Sequence, residues 1–275
     1  MLYKFEDIWL NKGTMKTIVL LTDFGLKDNF VGTMKGVILN INNRANIVDL
    51  SHDVEHQDVF GAAFLLMSSY RYFPKGTIFL VVVDPGVGTK RNALIVKTRN
   101  YLFVGPDNGI LSLAVLEDGL RKAVKISNKK YMLKDISDTF HGRDIFAPAS
   151  AYLSKGMPLA SFGRPLKEIK RLHVRQPKAS GNILRGEVIY IDRFGNLITN
   201  IDKKQFFLFT GNKKFEIQIR EKKIVSLSNA YQEAGQGEVL AIFGSSGYLE
   251  IAVNGHSARK YFTADRGEGV TVAII

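Results

Sequence analysis

The stretch "TIFLVVVDPGVGTKRNALIV", residues 77 to 96, decides the reading of this chain. It opens as an apolar β-type run, carries a carboxylate, Asp84, at the end of that run, and breaks at Pro85-Gly86. It then starts back along "NALIV", with a guanidinium, Arg91, seven residues after the acid. An apolar run cut short by Pro and Gly reads as a buried strand with a sharp end. A charge at such an end lies at the rim of a sheet, where it can face a cleft.

The same texture recurs on either side of this stretch. "KTIVLLTD" (16 to 23), "NIVDLS" (46 to 51) and a paired "NALIVK" and "YLFVG" read as strands. Between them lie helical patterns, one through Phe30, Val31, Met34, Val37, Ile38 and Ile41 and one in "DVFGAAFLLMSSYRYF" (58 to 73). A β-α-β-α-β order predicts an α/β domain with a mostly parallel sheet flanked by helices, its chemistry at the carboxyl ends of the strands. Asp23 and Asp84 both stand at such ends.

"RDIFAPASAYLS" (143 to 154) reads as a further helix, and the texture then changes. "GEVIYID", "NLITNI", "KFEIQI", "KIVSLS", "EVLAIFG", "YLEIAV" and "VTVAII" are short strands between turns, which predicts an all-β C-terminal barrel or sandwich. The expected division is an N-terminal extension over 1 to 14, an α/β domain over 15 to 170, a linker over 171 to 183 and a β-barrel domain over 184 to 275.

Composition excludes whole classes of chemistry. The 275 residues include no cysteine, which removes disulfides, thiolate nucleophiles and cysteine-ligated metal sites. No apolar stretch reaches the roughly 20 residues that span a bilayer, and the N-terminus lacks a leader pattern. The expectation is a cytoplasmic protein without a membrane partner. The net charge of +12 falls unevenly: residues 1 to 120 carry 12 Lys+Arg against 12 Asp+Glu, and the remainder 26 against 14. These positives are scattered among acids and strand positions with no nucleic-acid-binding motif, so solvated surface is favoured over a nucleic-acid partner.

Four clusters combine Gly turns with polar side chains: "TDFGLKD" (22 to 28), "DPGVGTKR" (84 to 91), "TFHGRD" (139 to 144) and "DRFGN" (192 to 196). Each alone has a structural reading, as a helix cap or strand closure. "DPGVGT" lacks the phosphate-loop spacing, and no helix follows "GVG" as a dinucleotide fingerprint requires. His52 and His56 in "SHDVEHQD" have the spacing of a zinc pair but no evident third ligand, so a surface loop is expected and no metal site. His141 stands at a helix start beside Gly142, where positive charge and the helix dipole can hold it neutral.

Taken in this order, and with "SSGYLEIAVN" at 245 to 254, the clusters resemble the S-adenosyl-L-methionine (SAM) hydroxide adenosyltransferases, the hydrolase relatives of fluorinase and chlorinase. The resemblance runs from about Lys16 to Ile274. It implies an α/β domain, a C-terminal barrel, and a homotrimer with active sites where one subunit's first domain meets its neighbour's second. It implies hydrolysis of SAM to adenosine and L-methionine, by an activated water or hydroxide attacking the ribose C5', and no cofactor. The catalytic set of the hydrolases falls on Asp84, Arg91 and His141. Halide-using relatives carry a tyrosine in place of the Asp84 type and a Tyr-Ser pair at His141 and Gly142.

By the same resemblance Asp23 contacts the ribose, and Asp28 and Asp192 face the methionine end. Phe194 and Tyr231 stack on adenine, Asn196 reads its edge, and Ser245 and Ser246 lie near the methionine carboxylate. Ser246 and Val253 stand where the fluorinase has arginines, which leaves the carboxylate clamp and the adenine edge as the loosest assignments.

The chemistry supports such a set. A thioether leaving a sulfonium needs neither proton nor metal, so only the nucleophile needs help. Water has a pKa of about 15.7, and lowering it takes positive charge and an acceptor around one molecule. The turn through Pro85-Gly86 brings the Arg91 guanidinium back beside Asp84. The alternatives are a buried ion pair that merely staples that turn, a halide adenosyltransferase, and a nucleoside- or SAM-binding protein without turnover.

Overall fold

The run TIVLLT makes strand β1 (Thr17–Thr22) because its residues are apolar on both faces. Ile18 and Leu20 point into one core and Val19 and Leu21 into the other. Next come helix α1 (Phe30–Ile41), β2 (Asn46–Ser51) and α2 (Val59–Ser69), which Asp58 caps by accepting from the Gly61 amide at 2.9 Å. Then follow β3 (Ile78–Val82), β4 (Ala93–Thr98), β5 (Leu102–Pro106), α3 (Ser112–Asp118), β6 (Leu120–Lys125), α4 (Ala147–Ser154) and the two-residue β7 (Pro165–Leu166). The computed structural model describes residues 16–275, so the expected extension over 1 to 14 lies outside the described residues.

The sheet order is β2-β1-β3-β5-β4-β6-β7. The first four strands are mutually parallel, and the pairings β5-β4, β4-β6 and β6-β7 are antiparallel. The sheet is therefore mixed, which corrects the expected mostly parallel sheet. The cause is local: only residues 99 to 101 join β4 to β5, far too few for the crossover that parallel neighbours need.

Alternation along β3 sorts the two faces. Ile78, Leu80 and Val82 join α1 and α4 in one core, and Phe79, Val81 and Val83 join α2 and α3 in the other. Each such side chain, once buried, contributes about 1.5–3 kcal/mol. Continuing the alternation puts Asp84 on the α1 and α4 side, the side from which His141 approaches.

The chain divides into two compact units between Leu172 and His173. The second unit contains β8 (Lys178–Ser180), β9 (Ile183–Ile191), β10 (Leu197–Asp202), α5 (Lys203–Thr210), β11 (Phe215–Ile219), β12 (Lys222–Ile224), β13 (Val239–Phe243), β14 (Tyr248–Val253), α6 (Ala258–Phe262) and β15 (Gly269–Ile274). Its strands form a nearly closed, barrel-like sheet in the order β12-β11-β15-β9-β10-β14-β13, with β8 on β9. Its core holds Leu184, Leu197, Ile217, Ile251 and Val272. Part of the span expected as linker is thus a strand, β8.

Among the described residues no helix is long and apolar enough to cross a membrane.

Candidate active site

β3 ends at Val82, and Asp84 follows two residues later, at the start of the Pro85-Gly86 turn. Gly88, at φ +76°, lets this turn lie against the segment leading to His141, since a Cβ there would strike the Asp138 carbonyl oxygen. The chain reverses as the sequence predicts. Arg91 Nε donates to both carboxylate oxygens of Asp84 at 2.9 Å, and its Nη2 also donates to Oδ2. The pair is deeply enclosed, with side chains 7% and 5% exposed. The guanidinium also lies over the Phe146 ring, 5.2 Å from its centroid.

A second contact fixes the imidazole. Arg91 Nη2 lies 2.7 Å from His141 Nδ1. A guanidinium has only donors, so Nδ1 must be the acceptor and the ring proton sits on Nε2. Burial and the charge on Arg91 hold the His141 pKa below its ordinary value, against weaker opposing pulls from Asp84, Asp144 and Asp138. His141 opens onto a π-helical turn, Gly142–Phe146, that leads into α4. Asp144, fully buried, anchors that turn by accepting from the Ser137 amide at 2.8 Å and from Arg143 Nε at 2.6 Å.

Asp84 and His141 border a cleft of about 420 Å³ that Asp23, Asp28, His56 and Gln57 also line. Its apolar corner is a triangle of Phe24, Phe30 and Phe140, with ring centroids 5.2 to 5.8 Å apart. Asp28 is exposed on the approach to α1. Asp23 follows β1 directly, and its Oδ2 accepts from the Gln57 amide at 2.9 Å. Of the residues expected to serve the site, the structure thus brings together Asp23, Asp28, Asp84, Arg91 and His141 in the first unit. The arrangement is a cleft lined by carboxylates and by His141, with the Arg91 guanidinium held between Asp84 and His141.

The other expected residues lie in the second unit. Asp192 accepts from the amides of Phe194 and Asn196 and from Asn196 Nδ2, each at 2.9 Å, so the turn 192 to 196 is internally tied. Gly195 at φ +85° sits so close to Ser257 that a side chain would collide with it. Phe194 is 77% exposed, a state shared by several other large apolar side chains such as Leu208 and Tyr72. The Tyr231 hydroxyl donates to Glu250 Oε1 at 2.7 Å, and burial together with this acid pushes the phenol pKa up. Ser245 is exposed and Ser246 half-buried between β13 and β14. Val253 packs in the barrel core, 3% exposed, which directs its side chain inward.

Two features were not anticipated from the sequence. Glu250 is buried inside an apolar strand, and burial raises its carboxyl pKa, with Asp192 adding to the rise. His52, expected on a surface loop, is 5% exposed. Its Nδ1 meets Thr22 Oγ1 at 2.8 Å and its Nε2 meets Asp49 Oδ1 at 3.0 Å, so both ring nitrogens are used inside the fold. His56 is exposed, as expected. The signal for His52 was its position one residue after a strand, but the burial depends on Thr22, 30 residues earlier.

The family models for the SAM hydroxide adenosyltransferase N-terminal and C-terminal domains match residues 18–163 and 186–271. The (R)-S-adenosyl-L-methionine hydrolase of Thermus thermophilus is 37% identical over 257 residues, which cover 90% of this chain and 95% of that protein. A fluorinase from an Actinoplanes species is 28% identical, covering 93% and 96%. A crystal structure of an uncharacterized conserved protein from Thermotoga maritima superposes with a TM-score of 0.87 at 38% identity, covering 93% of this chain and 99% of that one. With both domain models matched in order along most of its length, the chain belongs to the SAM hydroxide adenosyltransferase family.

Proposed function

We propose that the chain hydrolyses SAM to adenosine and L-methionine. The observation that carries this reading is the contact chain from Asp84 through Arg91 to His141, whose two ends line a cleft. In the reaction a water oxygen attacks the ribose C5' and the C5'–S bond breaks. Its electron pair stays on sulfur, which departs as the neutral thioether of methionine. The water's proton must go elsewhere, so each turnover releases one proton to solvent.

Each residue has a separate task. Arg91 supplies fixed positive charge that lowers the cost of forming hydroxide. Asp84 holds the guanidinium in its planar fork and offers its remaining lone pairs to a water O–H. His141, with its proton on Nε2, donates to the oxygen as negative charge develops on it. A donor in that position stabilises hydroxide; it does not abstract the proton. The aromatic corner keeps bulk water away from the sulfonium. Nothing in this scheme requires a metal or cofactor.

Substrate holding is assigned as follows. Asp23 grips the ribose diol, for which a carboxylate is suited. Asp28 and Asp192 meet the methionine ammonium, Phe194 and Tyr231 stack on adenine, and Asn196 reads its edge. Ser245 and Ser246 take the methionine carboxylate. Val253 contributes through its backbone at the end of β14. The proposed assembly is a homotrimer with sites at subunit interfaces, in which the exposed Phe194 ring would be covered by substrate. The cytoplasm, where SAM is made and used, is the proposed location.

Incubation with SAM tests the reading. Equimolar adenosine and methionine should form, at a rate unchanged by added fluoride or chloride. Halide-dependent formation of a 5'-halo-adenosine would favour the adenosyltransferase alternative, and SAM recovered intact would favour a binding protein.

A further inference from the structure

We propose that His52 is a positioning residue that fixes the Asp23 carboxylate for its grip on the ribose, an inference that rests on the role assigned to Asp23 above. The turn carrying Asp23 is pinned to His52 on both flanks. On one side Thr22 Oγ1 meets the imidazole Nδ1 at 2.8 Å, and the same hydroxyl accepts from the Phe24 amide at 3.3 Å. On the other, the Gly25 amide donates to the His52 carbonyl at 2.8 Å. Five residues beyond His52, the Gln57 amide holds Asp23 Oδ2 at 2.9 Å. Among the described residues Asp23 Oδ1 takes no protein hydrogen bond, so one oxygen is held and the other is left for a ligand.

The backbone is shaped for this brace. Gln57, whose amide is the donor to Asp23, adopts φ +62°, in the left-handed region that a non-glycine side chain disfavours. Such outliers persist where the surroundings over-determine them and cluster at ligand sites. β2 contributes a second irregularity: its register against β1 passes from Leu20–Asp49 to Leu21–Ser51, leaving Leu50 unpaired. Residues three apart on an even strand point to opposite sides, and one bulged residue restores them to the same side. That is how Asp49 reaches His52 Nε2 at 3.0 Å, while its other oxygen meets Lys35 Nζ at 2.6 Å. Imidazole suits the bridge, since its two nitrogens link a hydroxyl on one side to a carboxylate on the other. His52 does not line the cleft, so it acts through the turn and not on substrate.

The test is a double-mutant cycle on steady-state kinetics with SAM, in the full chain. His52→Leu should raise KM roughly tenfold and leave kcat within about twofold, because it loosens a binding group and spares the nucleophile cage. In the Asp23→Ala background the same change should have no further effect on kcat/KM, since its only route of action is gone. Thr22→Val should reproduce the KM rise and Thr22→Ser should restore the wild-type value, which carries the test if His52→Leu does not fold. Wild-type KM in folded His52→Leu, or full multiplicative losses in the double variant, would overturn the inference while leaving Asp23 in its role. An unchanged KM in Asp23→Ala would overturn both.

Discussion

Arg91 donates to His141 Nδ1 at 2.7 Å while the same guanidinium is clasped by Asp84. One cation therefore sets both the orientation of the carboxylate and the tautomer of the imidazole. Protonating His141 would aim an N–H at an N–H, so the contact itself opposes the charged ring.

Arg91→Lys should lower turnover by about 10² or more, because an ammonium cannot present the planar fork and a misaligned water loses most of the advantage of positioning. SAM affinity, measured by calorimetry under conditions too brief for turnover, should change far less. Near-wild-type turnover would remove Arg91 from the cage.

Asp84→Ala should cost both activity and stability. The Arg91 side chain is 7% exposed, and removing its partner leaves a buried charge, which typically destabilises by about 3–5 kcal/mol. Thermal unfolding should show a clear loss in Tm beside a fall in turnover of about 10² or more. If Tm fell and turnover did not, the pair would be a staple for the turn and no more.

The pH dependence follows from the sign of the His141 shift. Its folded pKa lies below the ordinary imidazole value of about 6.5, through burial and the charge on Arg91. The neutral ring therefore persists into mildly acidic solution. Turnover should be flat around neutrality and fall only below about 6.5. The stability contributed by the neutral ring is present above the unfolded value and is lost as pH falls, because the unfolded state takes up the proton more readily. His141→Asn, which keeps a donor without a titrating ring, should flatten the acidic limb of the rate profile. An unchanged limb would assign that titration to another group.

Glu250 shifts in the opposite sense. Burial, with Asp192 adding to it, raises its carboxyl pKa, so the fold favours the protonated acid. Its contribution to stability is present at low pH and is lost as pH rises through the folded value. Glu250→Gln, which keeps an acceptor for the Tyr231 hydroxyl, should raise Tm at pH 8 and bring little change near pH 4. A variant less stable than wild type at pH 8 would show that the ionised acid is stabilising.

Much of this architecture is legible in the chain because its strands are apolar runs that stop at polar or glycine turns. β2 coincides with "NIVDLS", and β3 ends just before the acid that marks its rim. Strand direction was less legible. Runs such as "NALIVK" and "YLFVG" specify burial on both faces but not their neighbours, and only the short link between them signals that half of the sheet is antiparallel. The short helix α5 hides inside "KKQFFLFT", an apolar segment whose only helical signature is the capping box of Asp202 and Gln205. In the site, Asp84, Arg91 and His141 could be proposed because turn chemistry and family resemblance agree. His52 could not, since its burial is decided by a hydroxyl and a carboxylate that tertiary structure and a bulge bring to its two nitrogens.

The proposed hydrolysis makes water the nucleophile and the ribose C5' the carbon attacked. A single turnover of SAM in ¹⁸O-labelled water, with both products analysed by mass spectrometry, tests it most directly. One ¹⁸O atom should appear in the 5'-hydroxyl of adenosine and none in methionine. Unlabelled adenosine, or label carried by the methionine fragment, would mean that a different bond breaks and would contradict the mechanism.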